Sequence, residues 1–363
     1  KTAISRGSKT SFSSFSYWFA VKLGIGWLEA APANRNMSQA SLACVGDRFY
    51  FFGCYNGSAP VQSTIGMIYE PLANAWSRFD CPIAMADSSA VAVGTDIYVC
   101  GGFTEIYNIH KYDTLTGLWS NESRVPASSY SMRETSACHY NGNLYIAGGH
   151  SSQQALRIYN LSTKTWSMSA LNSDGVTQNT QCAVAYDGYV YACNGVYSNP
   201  NYILRYSIAG NSWEIVVTAP TAYTSKATVY AGDGLVYLLS GIADNRTNVT
   251  YSLDTGIFGS LPPLPTALPG RNIGCCWHGR VYIFGHGQAG ALENHTYYYY
   301  PIPAAVTLLK CGAGDKVYAN AELYGRVSGL IQRYKETIIE ANDYIEYHTA
   351  DCAAEVTGYV ERD

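Results

Sequence analysis

A bulky aromatic residue returns at a nearly constant interval through most of this 363-residue chain. Trp27, Trp76, Trp119, Trp166 and Trp213 are spaced by 49, 43, 47 and 47 residues, and Phe258 follows 45 residues later. Each of the last five has a tyrosine seven residues earlier: Tyr69, Tyr112, Tyr159, Tyr206 and Tyr251. Turn-forming stretches such as DTLTGL (113–118) and NLSTKT (160–165) separate tyrosine from tryptophan. A period of this length marks one supersecondary unit per repeat. Such a unit cannot bury both of its faces alone, so successive units must stack.

Upstream of the tyrosines lie six apolar strands that close on a small-residue pair: FYFFGC (49–54), IYVCGG (97–102), LYIAGG (144–149), VYACNG (190–195), VYLLSG (236–241) and VYIFGH (281–286). A turn glycine precedes each one, namely Gly46, Gly94, Gly142, Gly188, Gly234 and Gly279. Six units of this kind predict an all-β fold, a six-bladed β-propeller of four-stranded sheets. The composition suits it, with 34 Gly for tight turns and 32 Tyr for half-buried strands. In the order Gly-Gly, Tyr, Trp, the chain resembles the kelch-repeat family across about residues 27–300. It departs from that pattern at Gly53-Cys54, Asn194-Gly195, Ser240-Gly241, Gly285-His286 and Phe258.

The sixth unit has inner strands (273–286) and a tyrosine run, Tyr297 to Tyr300, but no tryptophan after it, whereas Trp27 has no strands before it. Residues around 17–28 are therefore expected to lie beside the tyrosine run and close the ring, which removes two open sheet edges. Residues 15–28 also look like the apolar core of a signal peptide. Lys22 interrupts that core and Trp27 keeps the repeat register, so the segment is read as mature structure. The expected organisation is an N-terminal tail (1–14), a propeller (15–302), and a linker with a helical C-terminal extension (303–363). In that extension Val317, Tyr324, Ile331, Ile338 and Ile345 recur every seven residues. This predicts an amphipathic helix, docked on the propeller or forming an assembly contact with another subunit.

Chemistry is harder to find. The histidines (His110, His139, His150, His278, His286, His295 and His348) form no HxH or HExxH pattern, so no metal, cofactor or catalytic residue is assigned. Asp87, Glu105, Glu134 and Asp174 are carboxylates that the repeat could gather at one mouth of the ring. A net charge of −4 without a Lys/Arg run gives no case for nucleic acid, and no apolar run is long enough to cross a membrane as a helix. Among 11 cysteines, Cys182 and Cys193 face each other if Asp187-Gly188 is a two-residue turn, so a disulfide or two buried thiols would fit there. Cys311 and Cys352 are a second candidate pair. Sequons occur at Asn36, Asn56, Asn121, Asn160, Asn245, Asn248 and Asn294, and six of the seven belong to loops or links of one face.

These features favour an extracellular, N-glycosylated structural or adhesive protein that acts through contacts with a protein partner or with itself, as a homo-oligomer or filament. The alternative is an intracellular adaptor or scaffold like the kelch rings of ubiquitin-ligase adaptors, which the resemblance implies would bind a protein through that loop face. A carbohydrate-active extracellular enzyme is a third reading, without assignable catalytic residues.

Overall fold

The computed structural model describes residues 2–3, 27–33, 40–53, 63–102, 105–126, 131–149, 156–170, 180–194, 202–218, 227–230, 232, 234–239, 248–268, 272–278, 280–285, 295–299, 306–310, 316–319, 344–348 and 358–361. After β1 (Thr2–Ala3) and β2 (Trp27–Ala30), the strands fall into fours. Sheet one contains β3 (Ser41–Val45), β4 (Arg48–Phe52), β5 (Ser63–Glu70) and β6 (Ala75–Met85). Sheet two contains β7 (Ser89–Val93), β8 (Asp96–Cys100), β9 (Asn108–Asp113) and β10 (Trp119–Arg124). Sheet three contains β11 (Thr135–Tyr140), β12 (Asn143–Gly148), β13 (Arg157–Asn160) and β14 (Trp166–Met168). Sheet four contains β15 (Thr180–Tyr186), β16 (Tyr189–Asn194), β17 (Tyr202–Ser207) and β18 (Ser212–Thr218). Sheet five contains β19 (Ala227–Tyr230), β20 (Leu235–Leu239), β21 (Asn248–Ser252) and β22 (Phe258–Leu261). Sheet six is ordered β2-β25-β24-β23, where β23 is Ile273–Trp277, β24 Arg280–Gly285 and β25 His295–Tyr299. The N-terminal strand thus stands where the missing tryptophan strand was expected.

Two compact units are distinguished: Glu29–Trp277 with Val281–Tyr298, and Lys1–Leu28 with His278–Arg280 and Tyr299–Asp363. In the larger unit, β3, β7, β11, β15, β19 and β23 each pack against the next, and β23 packs against β3, so the ring closes. These innermost strands are rich in Ala, Ser, Val and Cys, because the wedges taper toward the axis and leave room only for small side chains. The second strands are covered on both faces. The β4 residues Phe49, Tyr50, Phe51 and Phe52 are all buried, as are Ile97 to Cys100 in β8. Outer strands such as β18 are mostly open to solvent.

Serines tie neighbouring innermost strands together. Ser41 Oγ and Ser88 Oγ lie 2.9 Å apart, the Ala137 N–H donates to Ser89 Oγ at 2.8 Å, and the Ala183 N–H donates to Ser136 Oγ at 2.8 Å. At the rim, the residue two before each repeat aromatic is left-handed: Asn74, Gly117, Lys164, Asn211 and Gly256, with φ between 45° and 72°. Asn74 uses this turn to staple sheets, since its Oδ1 accepts from Ala31 N at 2.7 Å and from Tyr69 Oη at 2.8 Å. Asn211 repeats the device with Ala170 N and Tyr206 Oη. The tryptophans complete it, Trp76 Nε1 donating to Ala31 O and Trp213 Nε1 to Ala170 O.

In the smaller unit Trp27 packs on Tyr299, ring centroids 5.4 Å apart. It also holds a three-stranded sheet β1-β29-β27 and a pair β26-β28, where β26 is Val306–Lys310, β27 Lys316–Ala319, β28 Tyr344–His348 and β29 Gly358–Glu361. The helical expectation is not confirmed among the described residues, and both ends of the seven-residue stripe lie in strands. Val317 pairs with Val360, and Ile345 pairs with Leu309. Val, Ile and Tyr are strand formers as much as they are a helix stripe, and here cross-strand partners decide. Tyr324, Ile331 and Ile338 lie outside the described residues, as do Cys311 and Cys352.

Candidate functional site

The innermost strands enclose a central channel of about 690 Å³, and one mouth carries a repeated loop cassette. Gly53 and Gly101 end the second strands of sheets one and two, each at φ +66°. A Cβ on either would stand 2.0 Å from a backbone oxygen, Met85 O or Met132 O respectively, so only glycine lets the buried methionine backbone approach. Two residues after each methionine comes an acidic residue with left-handed backbone, Asp87 (φ 56°) and Glu134 (φ 57°). Both line the channel. Left-handed non-glycine residues cost about 1–3 kcal/mol each and persist where surrounding contacts over-determine them. Here the Glu134 N–H donates to Asp87 O at 3.0 Å, and the Met132 N–H to Ile106 O at 2.7 Å.

Arg133 sits between the two carboxylates. Its Nε donates to Asp87 Oδ2 at 3.5 Å, and its Nη2 lies 3.7 Å from Glu134 Oε1. The carboxylate side chains are only 5% and 8% exposed, whereas the Arg133 side chain is 27% exposed, so the arginine is the part of the triad that solvent meets most. Of the four carboxylates that the repeat could gather at a ring mouth, Asp87 and Glu134 are brought together. Glu105 instead accepts from Asn108 and lies 3.4 Å from His110 Nε2, and burial lowers the His110 pKa against the pull of that carboxylate. Asp174 lies outside the described residues.

Arg157 was not foreseen. It is fully buried on β13 and donates through Nη1 and Nη2 to Gly148 O and through Nη2 to Ser131 O, which joins sheet three to the link from sheet two. Burial lowers its pKa to about 10. Its position two before Tyr159 was the available signal, because that alternation points a side chain into the seam. Nothing in RIYN reveals that the seam is lined by carbonyls.

Cys182 and Cys193 are in register, as the turn implies, with Asp187 and Gly188 at φ 45° and 77°. They stand as free buried thiols rather than a disulfide. Of the sequons, Asn121 is exposed on β10. Asn160 shapes an Asx turn: its Oδ1 accepts from Ser162 N and Thr163 N, and its Nδ2 donates to Asn143 Oδ1. Asn248 is 1% exposed and its Nδ2 donates to Pro262 O at 2.9 Å, so the nitrogen that a sugar would take is engaged inside the fold. Asn36, Asn56, Asn245 and Asn294 lie outside the described residues. Among the described residues, no helix is long and apolar enough to cross a membrane.

A model of the KLHDC2/KLHL20/DRC7 kelch-repeats domain matches residues 39–221. The chain is also similar to Kelch-like protein 25 of Xenopus tropicalis, 25% identical over 149 residues, which cover 39% of this chain and 24% of that relative. The chain therefore spans about a quarter of the length of the curated relative that it matches. Six four-stranded sheets with the glycine, tyrosine and tryptophan order, and a kelch-repeat match across half the chain, lead to one conclusion: this chain belongs to the kelch-repeat family.

Proposed function

We propose that the chain is a non-catalytic adaptor or scaffold, working inside the cell, that holds a protein partner against the channel mouth bearing Asp87, Arg133 and Glu134. The observation that carries this reading is the repeated cassette. Two left-handed acidic residues and their shared arginine are fixed by tight glycine contacts, which is the preorganisation a recognition surface needs. Kelch membership and the similarity to a Kelch-like protein support an adaptor over the secreted glycoprotein favoured by the sequons. So do the engaged side chains of Asn160 and Asn248. The mouth suits a partner loop that presents a carboxylate or carbonyl to Arg133, the most exposed member of the triad.

Affinity capture from native cells tests this, comparing wild type with Asp87→Asn/Glu134→Gln. Asparagine tolerates the left-handed backbone, and both changes retain polar shape. A partner held by wild type and lost by the variant at an unchanged unfolding midpoint supports the proposal. Equal capture by both removes the mouth from recognition. A mass drop on glycosidase treatment of the native-source protein restores the secreted reading.

A further inference from the structure

Cys44 on β3 and Cys275 on β23 occupy the innermost strands of sheets one and six, 231 residues apart in sequence and adjacent across the closing seam. Both are half-buried free thiols and both line the central channel, so a small solute in the channel can reach them. Each thiol donates to a nearby backbone oxygen, Cys44 Sγ to Gly46 O at 3.6 Å and Cys275 Sγ to Cys276 O at 3.5 Å, and both pack against the same seam cluster. We propose that Cys44 and Cys275 form a redox-sensitive pair that a hydroperoxide oxidises to a disulfide, covalently latching the first sheet to the last.

The direction of reaction follows from the unequal surroundings of the two thiols. The neighbouring Cys275 side chain lowers the Cys44 pKa, against burial and the nearby Asp47 carboxylate, while Cys44 and burial raise that of Cys275. Cys44 is therefore the nucleophile, because the thiolate is the reactive form. Its sulfur attacks one peroxide oxygen, the O–O bond breaks, and water (or an alcohol) leaves with a proton. Cys44 is then a sulfenic acid. Cys275 sulfur attacks Cys44 sulfur, the S–O bond breaks, and a second water carries off the hydroxyl and the Cys275 proton. Two thiols have given two electrons to one peroxide. Elsewhere, burial pushes the Cys138 and Cys193 thiols up to about 12, which keeps them protonated and slow.

The test is hydrogen peroxide at one equivalent on the reduced full chain, followed by alkylation, denaturation, digestion and peptide mass mapping. The expected product is a Cys44–Cys275 cross-linked peptide, with a urea midpoint that rises on oxidation and returns on reduction with dithiothreitol. In Cys275→Ala no cross-link forms, dimedone traps Cys44 as its sulfenic acid, and iodoacetamide labels Cys44 several-fold more slowly at neutral pH. Cys276→Ala leaves the cross-link intact. A Cys182–Cys193 or Cys44–Cys276 product in place of the expected one overturns the proposal, as does a Cys44 still fully alkylated after peroxide; neither result depends on a variant folding.

Discussion

Two seams of the ring have the same wedge geometry and opposite chemistry. Between sheets six and one, Phe49 meets Tyr282, Phe284 and Trp277 edge-on, and Met67 fills the position two before Tyr69. Between sheets two and three, the equivalent position two before Tyr159 is Arg157, which grips backbone oxygens where the other seam places an apolar methionine. Apolar seams depend on area and shape. The arginine seam depends on completing carbonyls that would otherwise be stranded, so its failure is sharper for each atom removed.

Truncating the aromatic seam should have the largest effect. Phe49→Ala is expected to lose about 3–5 kcal/mol in urea unfolding, since the residue is fully buried and ringed by aromatics. Arg157→Met, which copies Met67 into the polar seam, should lose about 2–4 kcal/mol because Ser131 O and Gly148 O lose a charged donor. If Arg157→Met is neutral, the two seams are interchangeable and the contrast fails.

The rim sharpens the comparison at smaller scale. Trp76→Phe removes the bond from Nε1 to Ala31 O and should cost about 1 kcal/mol. Trp119→Phe should be neutral or slightly stabilising by the same measurement, because Trp119 Nε1 is buried without a partner. The smallest effect expected is pH-dependent. Burial lowers the His110 pKa, so the unfolded chain takes up the proton first. Stability from this group is complete above the ordinary imidazole pKa of about 6.5 and declines as pH falls through the lowered folded value. His110→Gln should flatten that part of the wild-type profile.

The ring was legible because its marks are local. A left-handed turn residue, an aromatic pair seven apart and a glycine at the strand end each follow from one repeat's own geometry. The mouth was half legible: Asp87 and Glu134 could be named as carboxylates, but not their left-handed backbone or the arginine between them. Arg157 depends on the link arriving from the preceding sheet, and the Cys44–Cys275 neighbourhood on closure of the ring, so neither is set by a single repeat alone. The seven-residue stripe was ambiguous at Val317 and Ile345 because strand formers satisfy both a helical and an extended pattern.

Separate sheets share no backbone ladder, so in principle adjacent wedges could slide past one another along the axis like cards in a pack. The hydroxyls of Ser41, Ser88, Ser89 and Ser136 oppose this, because a slide of one residue, about 3.3 Å, carries each of them out of hydrogen-bonding reach. The channel wall along sheets one to four thus gains stiffness against shear from a few small polar groups, and the bore keeps its dimensions when something presses on one face.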